Sequence, residues 1–285
     1  MSAALLGAMA AVAWGIHDLI GGLASRRVGA VTSVFYVTVL GLVGLVLWLL
    51  PGLDPVQFFR AEVSIAVASG TCQLLATLFL FGALAHGPFS MAAPVAGSFP
   101  LTSLVLAALS GIPMTAYQLV AALAVIAGVV AVSVTGERQS DSWSRRSLQK
   151  CLVFAVLAHV LFAVAIFLGQ KAALVFGTAE ATFAGRVAGA VLIVAILVFG
   201  RHRARVASHW LAALAFIGML DVFAISLLNA AAATAQPQIA AVAGSAFGVV
   251  TVLLARLVLN EPIPPQRWLG IALTFAGVAS LAALE

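Results

Sequence analysis

Long apolar runs fill this chain, and its polar residues fall mostly in the short gaps between them. That pattern predicts helices surrounded by lipid rather than helices with one wet face. Counting apolar stretches of at least about 18 residues gives ten spans, near 3–24, 31–50, 63–85, 89–110, 116–135, 151–170, 182–200, 210–233, 237–259 and 268–284. The longest connection, 136–149, holds the one concentrated polar run, Glu137-Arg138-Gln139-Ser140-Asp141-Ser142. The expected fold class is an all-α polytopic membrane protein with ten transmembrane helices.

The pattern also repeats, at an offset near 148. Arg26 falls on Lys171, which places Trp14 on His159; Phe35 and Gly41 fall on Phe183 and Gly189, and Gly52 on Gly200. Gly70 and Gln73 meet Gly218 and Asp221, Val95-Ala96-Gly97-Ser98 recurs as Val242-Ala243-Gly244-Ser245, and Pro113 and Gly128 recur as Pro262 and Gly277. The chain therefore divides into a first five-helix repeat (1–135), a linker (136–149) and a second five-helix repeat (150–285). An odd number of spans per half makes the second repeat enter the membrane from the opposite side, so the repeats are inverted, with a substrate site expected near the midplane between them. Pro94 and Pro100 interrupt the hydrogen bonding of the fourth span and predict a kink there.

Composition agrees: 64% of the 285 residues are hydrophobic and 8% charged, which excludes an ordinary soluble domain. Mean hydropathy is +1.18. The net charge of +5 is spread over loops and forms no nucleic-acid-binding face. Arg26, Arg27, Arg138, Arg145, Arg146, Lys150, Arg201, Arg203, Arg205, Arg256 and Arg267 lie on one side of the ten-span arrangement, against Arg60 and Lys171 on the other. By the positive-inside rule both termini then lie outside. No cationic residue precedes the first apolar run, so the start does not read as a signal peptide. With loops this short, ATP-driven or receptor chemistry has nowhere to reside. Cys72 and Cys151 have neither a metal-ligand nor a disulfide spacing and read as packing thiols; no metal and no cofactor is expected, and the oligomeric state is left open.

Asn260-Glu261-Pro262-Ile263-Pro264-Pro265-Gln266-Arg267-Trp268-Leu269-Gly270, followed by an apolar span with Gly277, resembles the Glu-then-Gly hallmark of the EamA family in the drug/metabolite transporter superfamily. Trp14-Gly15 in the first span and Ser98-Phe99-Pro100 in the fourth are similar to further motifs of that family. The chain departs from the pattern in the first half, where Gly111-Ile112-Pro113 occupies the slot of the Glu motif, and at Gly248, where a proline would match Pro100. The resemblance covers essentially the whole chain. It implies transport of small organic metabolites, often amino acids or related compounds and often outward, with both termini cytoplasmic, opposite to the charge count. A bacterial inner membrane is the expected location.

An ionisable group inside a span costs at least about 2.5 kcal/mol on insertion scales, so it is a functional candidate by default. Trp14, His17, Asp18 and Gly21 share one helical stripe, where a carboxylate, an imidazole and an indole can receive a cationic group. Asp18 is also a candidate proton carrier; the alternative is a carboxylate that serves only the Arg26/Arg27 end of its helix. Asp221 sits near the middle of the eighth span with Asn229 two turns on, and the repeat sets it against Gln73. Asp221 either contacts substrate or pairs with Arg186 to hold two spans together, and Arg186 either grips a substrate carboxylate or reaches back to the polar boundary. His159, mid-span and matched to Trp14, is expected to face it across the pseudo-twofold, with a proton-relay role open to it.

The reading is a secondary active transporter of a small polar metabolite (an amine, amino acid or similar) with protons as coupling ion. The alternative is facilitated passage of a neutral sugar or nucleoside. An intramembrane enzyme built on His17 and His159 finds no Gly-x-Ser-x-Gly or His-Glu-x-x-His run to support it.

Overall fold

The computed structural model describes residues 1–49, 62–111, 115–134, 143–202, 204–260 and 265–283. Gly52, Arg60, Pro113, the polar run 137–142, Arg203, Glu261 and Pro262 lie outside the described residues.

The first half supplies α1 (Ala3–Val28), α2 (Ala30–Leu49), α3 (Val63–His86), α4 (Phe89–Gly97), α5 (Pro100–Leu109) and α6 (Ala116–Val134). The second supplies α7 (Arg145–Phe176), α8 (Thr178–Phe199), α9 (Ser208–Ala230), α10 (Pro237–Gly244), α11 (Phe247–Leu259) and α12 (Pro265–Ala283). Among the described residues, eight stretches are long and apolar enough to cross a membrane, with 89–106 and 237–259 each counting as one, and two shorter apolar helices lie at 116–131 and 268–281. These account for ten spans in two repeats, as the apolar pattern predicts.

The repeats share their local chemistry. Each opens on a serine N-cap: Ser2 accepts from the Leu5 N–H at 3.3 Å and Ser144 from the Ser147 N–H at 3.2 Å. The cap at Ser144 starts α7 at Arg145, six residues before the apolar run at 151, so a charged turn extends this helix beyond its apolar run. The first helix of each half ends at a glycine with positive φ, Gly29 at 88° and Gly177 at 94°, a conformation other residues rarely adopt. Both are one offset of 148 apart.

The fourth span of each half is broken. In the first half α4 stops at Gly97 and Pro100 opens α5; in the second α10 stops at Gly244 and α11 resumes at Phe247 without a proline. What the breaks share is the Val-Ala-Gly-Ser run. Ser98 Oγ donates to the Val95 carbonyl at 2.7 Å and Ser245 Oγ to the Val242 carbonyl at 2.6 Å, so a side chain takes a carbonyl near the end of the helix. The two breaks face each other, since a Cβ on Gly97 would lie 3.1 Å from the Ser245 carbonyl.

Packing runs across the repeats more than within them. α3 of the first half lies against α7 and α8, and its counterpart α9 lies against α1 and α2, while α6 packs on α12. Glycines bring several of these helices to backbone contact, and two of the crossings, between α2 and α9 and between α3 and α8, are exchanged by the repeat. Gly41 on α2 meets Gly218 on α9, and, exchanged by the repeat, Gly189 and Gly185 on α8 meet Gly70 on α3. A Cβ on Gly70 would overlap the Gly185 backbone, which cannot move aside as a side chain can. Replacing Gly70 with Val is expected to destabilise the fold by about 1–3 kcal/mol, read as a lowered Tm of the detergent-purified protein; an unchanged Tm would contradict this crossing.

Candidate functional site

Between the two glycine crossings lies a narrow polar cleft, lined from α2 by Thr38, from α3 by Ser69, Gln73 and Thr77, from α8 by Thr182 and Arg186, and from α9 by Asp221 and Asn229. Its volume is about 30 Å³, room for water but not for a metabolite.

Asp221 is its centre. The Arg186 guanidinium is hydrogen-bonded and ion-paired to Asp221 Oδ2 through Nη1. Trp14 Nε1 on α1 donates to Asp221 Oδ1 at 3.0 Å, so both carboxylate oxygens are engaged. Arg186 Nη2 donates to the Val37 carbonyl at 3.0 Å and to the Gly218 carbonyl at 3.4 Å. Gly41 makes this possible, because a Cβ there would occupy the position of Arg186 Nη2. Arg186 thus turns inward to Asp221 and does not reach back to the polar boundary.

Asn229 Nδ2 donates to Thr182 Oγ1 at 3.0 Å. Gln73, 8% exposed, has neither amide atom hydrogen-bonded among the described residues, and the same holds for Arg186 Nε and Asn229 Oδ1. A buried polar atom without a partner costs about 1–3 kcal/mol, so these four atoms leave the cleft-lining residues with unmet hydrogen-bonding capacity on both the donor and the acceptor side.

His17 and Asp18 pair with each other rather than with the Arg26/Arg27 end: His17 Nδ1 lies 2.9 Å from Asp18 Oδ1. Both are buried, one turn along α1 from Trp14, with the His17 ring 5.1 Å from Phe81. Asp18 stands outside the lining of the cleft.

His159 does not meet Trp14. It lies 2.9 Å from Ser98 Oγ through Nδ1 and 3.0 Å from Thr102 Oγ1 through Nε2, bridging α7 to both sides of the break in the fourth span. The aromatic groups at Trp14 are instead Phe162 and Phe247, each with its ring centre 5.9 Å away.

Thr38, Thr182 and Gly41 are site residues that ionisable-group reasoning does not find. The repeat does contain the signal: an offset of 148 carries Thr38 onto Arg186 as it carries Gln73 onto Asp221. The cleft is therefore a charged pair facing its own uncharged counterpart.

Removing one partner of a buried ion pair leaves an uncompensated charge and costs about 3–5 kcal/mol. Asp221→Ala is therefore expected to lower stability by that amount, whereas Asp221→Leu combined with Arg186→Met should recover most of it. A thermal melt of the three proteins checks this, and equal stability of the single and double variants would rule the pairing out.

The model of the EamA-like transporter family matches the chain twice, at residues 1–134 and 149–283. No curated protein sequence matches it. Among solved structures, a chain described only as "Crystal structure of protein" superposes with a TM-score of 0.74 at 21% identity, covering 99% of this chain and 96% of that one, a likeness of fold alone. With two family matches that together span nearly all of it, on ten apolar helices around a polar cleft, this chain belongs to the EamA-like transporter family.

Proposed function

We propose that this membrane transporter moves a small polar metabolite (an amine, amino acid or similar) by alternating access at the Arg186–Asp221 cleft, in exchange for protons. The observation that carries this is the cleft itself, a buried ion pair beside unpartnered amide groups on the seam between exchangeable helix crossings. Alternating access commonly uses such a seam, since rocking one crossing apart while its counterpart closes exposes one site to each side in turn. The tight volume of the cleft fits a state in which helices must separate before substrate enters.

Coupling is assigned to His17 and Asp18. The pair is buried beside Phe81, and its outer atoms His17 Nε2 and Asp18 Oδ2 are unpartnered among the described residues. Trp14 links the two places, because it shares α1 with the pair and donates directly to Asp221. His159 serves the kink of the fourth span rather than the substrate. The orientation follows the excess of basic residues, which sets the linker side in the cytoplasm.

Facilitated transport of a neutral sugar or nucleoside is the second reading, favoured by the internal pairing of Arg186 with Asp221.

Reconstituted protein on a solid-supported membrane, challenged with amines, amino acids and neutral sugars at two pH values, tests both. A substrate-evoked current that depends on pH in the wild type and loses that dependence in Asp18→Asn is expected. Uptake of a neutral solute that ignores both pH and the substitution would establish the second reading instead.

A further inference from the structure

The unmet hydrogen bonds of the cleft narrow the substrate class. Arg186 and Asp221 neutralise each other, and no other charged side chain lines the cleft among the described residues. A ligand with net charge would bring in a charge without a counterpart, at the cost that isolated charges carry inside a membrane. The unpartnered atoms instead divide evenly: Gln73 Nε2 and Arg186 Nε donate, Gln73 Oε1 and Asn229 Oδ1 accept. Gln73 stands where the repeat puts Asp221 in the other half, so the cleft offers one end that is ionic and one that is neutral.

Resting on the transport reading above, we propose that the substrate carries no net charge, presents both hydrogen-bond donors and acceptors, and is selected by Gln73. The ligand is a zwitterion or an uncharged carboxamide or polyol, and an ammonium-only or carboxylate-only compound is rejected. Within the metabolites considered above, this removes simple amines.

The test uses purified full-length protein and reads ligand-induced thermal stabilisation alongside uptake into proteoliposomes. The probes are a zwitterionic amino acid, a neutral polyol, a monoamine and a monocarboxylate. The wild type is expected to respond to one or both net-neutral probes and to neither ion. Gln73→Leu should weaken that response about tenfold, the loss of a hydrogen bond to a buried group. Gln73→Glu should gain a response to the monoamine, which a purely structural glutamine would not produce. A wild type that responds to the monoamine as strongly as to the zwitterion, or to no net-neutral probe, overturns the proposal. Stabilisation by a net-neutral probe without any uptake would leave this selectivity standing and overturn transport.

A different observation carries a second inference, about how the basic face is held shut. Arg26, in the last turn of α1, donates from Nε to the Leu84 carbonyl at 2.9 Å and from Nη2 to the Gly87 carbonyl at 2.8 Å, at the end of α3. Its guanidinium lies 4.4 Å from the ring centre of Phe89 on α4 and 5.4 Å from that of Trp143, just ahead of α7. Ser147 on α7 adds a bond to the His86 carbonyl at 2.8 Å. One side chain thus ties together α1, α3, α4 and the approach to α7. Its counterpart by the repeat, Lys171, lies over Phe167 on its own helix, and on that opposite face the neutral amides of Gln118 and Gln236 join α6 to the start of α10.

We infer that Arg26 is the latch that closes the basic face. Cys151, fully buried beneath Gly87, reports on it. In a Cys72→Ser background, Arg26→Ala should raise the rate of Cys151 alkylation by roughly tenfold or more, as expected for losing charge-assisted bonds. Ser147→Ala, a milder cut in the same place, should raise it less, and Lys171→Ala should leave it unchanged. An unchanged rate in both Arg26→Ala and Ser147→Ala, or an equal rise in Lys171→Ala, would refute the latch.

Discussion

A guanidinium buried among apolar helices is costly unless its donors are answered, and the middle of this protein is arranged around meeting most of that demand for Arg186. Asp221 takes one nitrogen, the Val37 and Gly218 carbonyls take another, and the third has no partner among the described residues. Reaching those carbonyls requires α2, α8 and α9 to converge within a side chain's width. Glycines at 41 and 218 allow it, and Trp14 from α1 completes the second oxygen of the carboxylate. The ion pair thus depends on the helix crossing at Gly41 and Gly218, which brings the carbonyls within its reach.

The repeat then explains where the cleft lies. Glycines at 70, 185 and 189 reproduce the crossing in the other half, but Thr38 and Gln73 stand there instead of a charged pair. The two halves are alike in their caps, breaks and glycine crossings and unlike in the polar groups they bring to the cleft. Under the alternating access proposed above, the likeness lets the crossings exchange, and the difference gives the site one orientation for its ligand. The broken fourth spans belong to the same scheme, since each ends on a serine that bonds back to its own helix, and His159 braces only one of them.

Much of the fold was legible in residues alone, for a physical reason. In a bilayer the backbone must satisfy itself, so an apolar run of sufficient length is a helix whatever surrounds it. The ten spans, the repeat, the inverted halves and the kink near Pro100 follow from that. The break in the ninth span was less legible, because the proline that marks the fourth is absent there, although the shared Val-Ala-Gly-Ser run was its signature.

The site was legible in inventory and only in part in arrangement, since the Arg186–Asp221 pair was one of two readings open to those residues. Rarity of polar groups in spans singled out Trp14, His17, Asp18, Gln73, His159, Arg186, Asp221 and Asn229. Which of them meet was decided by helix rotation and by side-chain reach, which no spacing along one helix determines. Trp14 turned to Asp221 and not to His159; Asp18 turned to the imidazole beside it and not to the arginines at its helix end. The sequence by itself determined helices, repeats and glycine positions, since each depends on local composition. Only the tertiary structure decided the partners, since a buried charge settles on whichever opposite charge the crossing helices bring within reach.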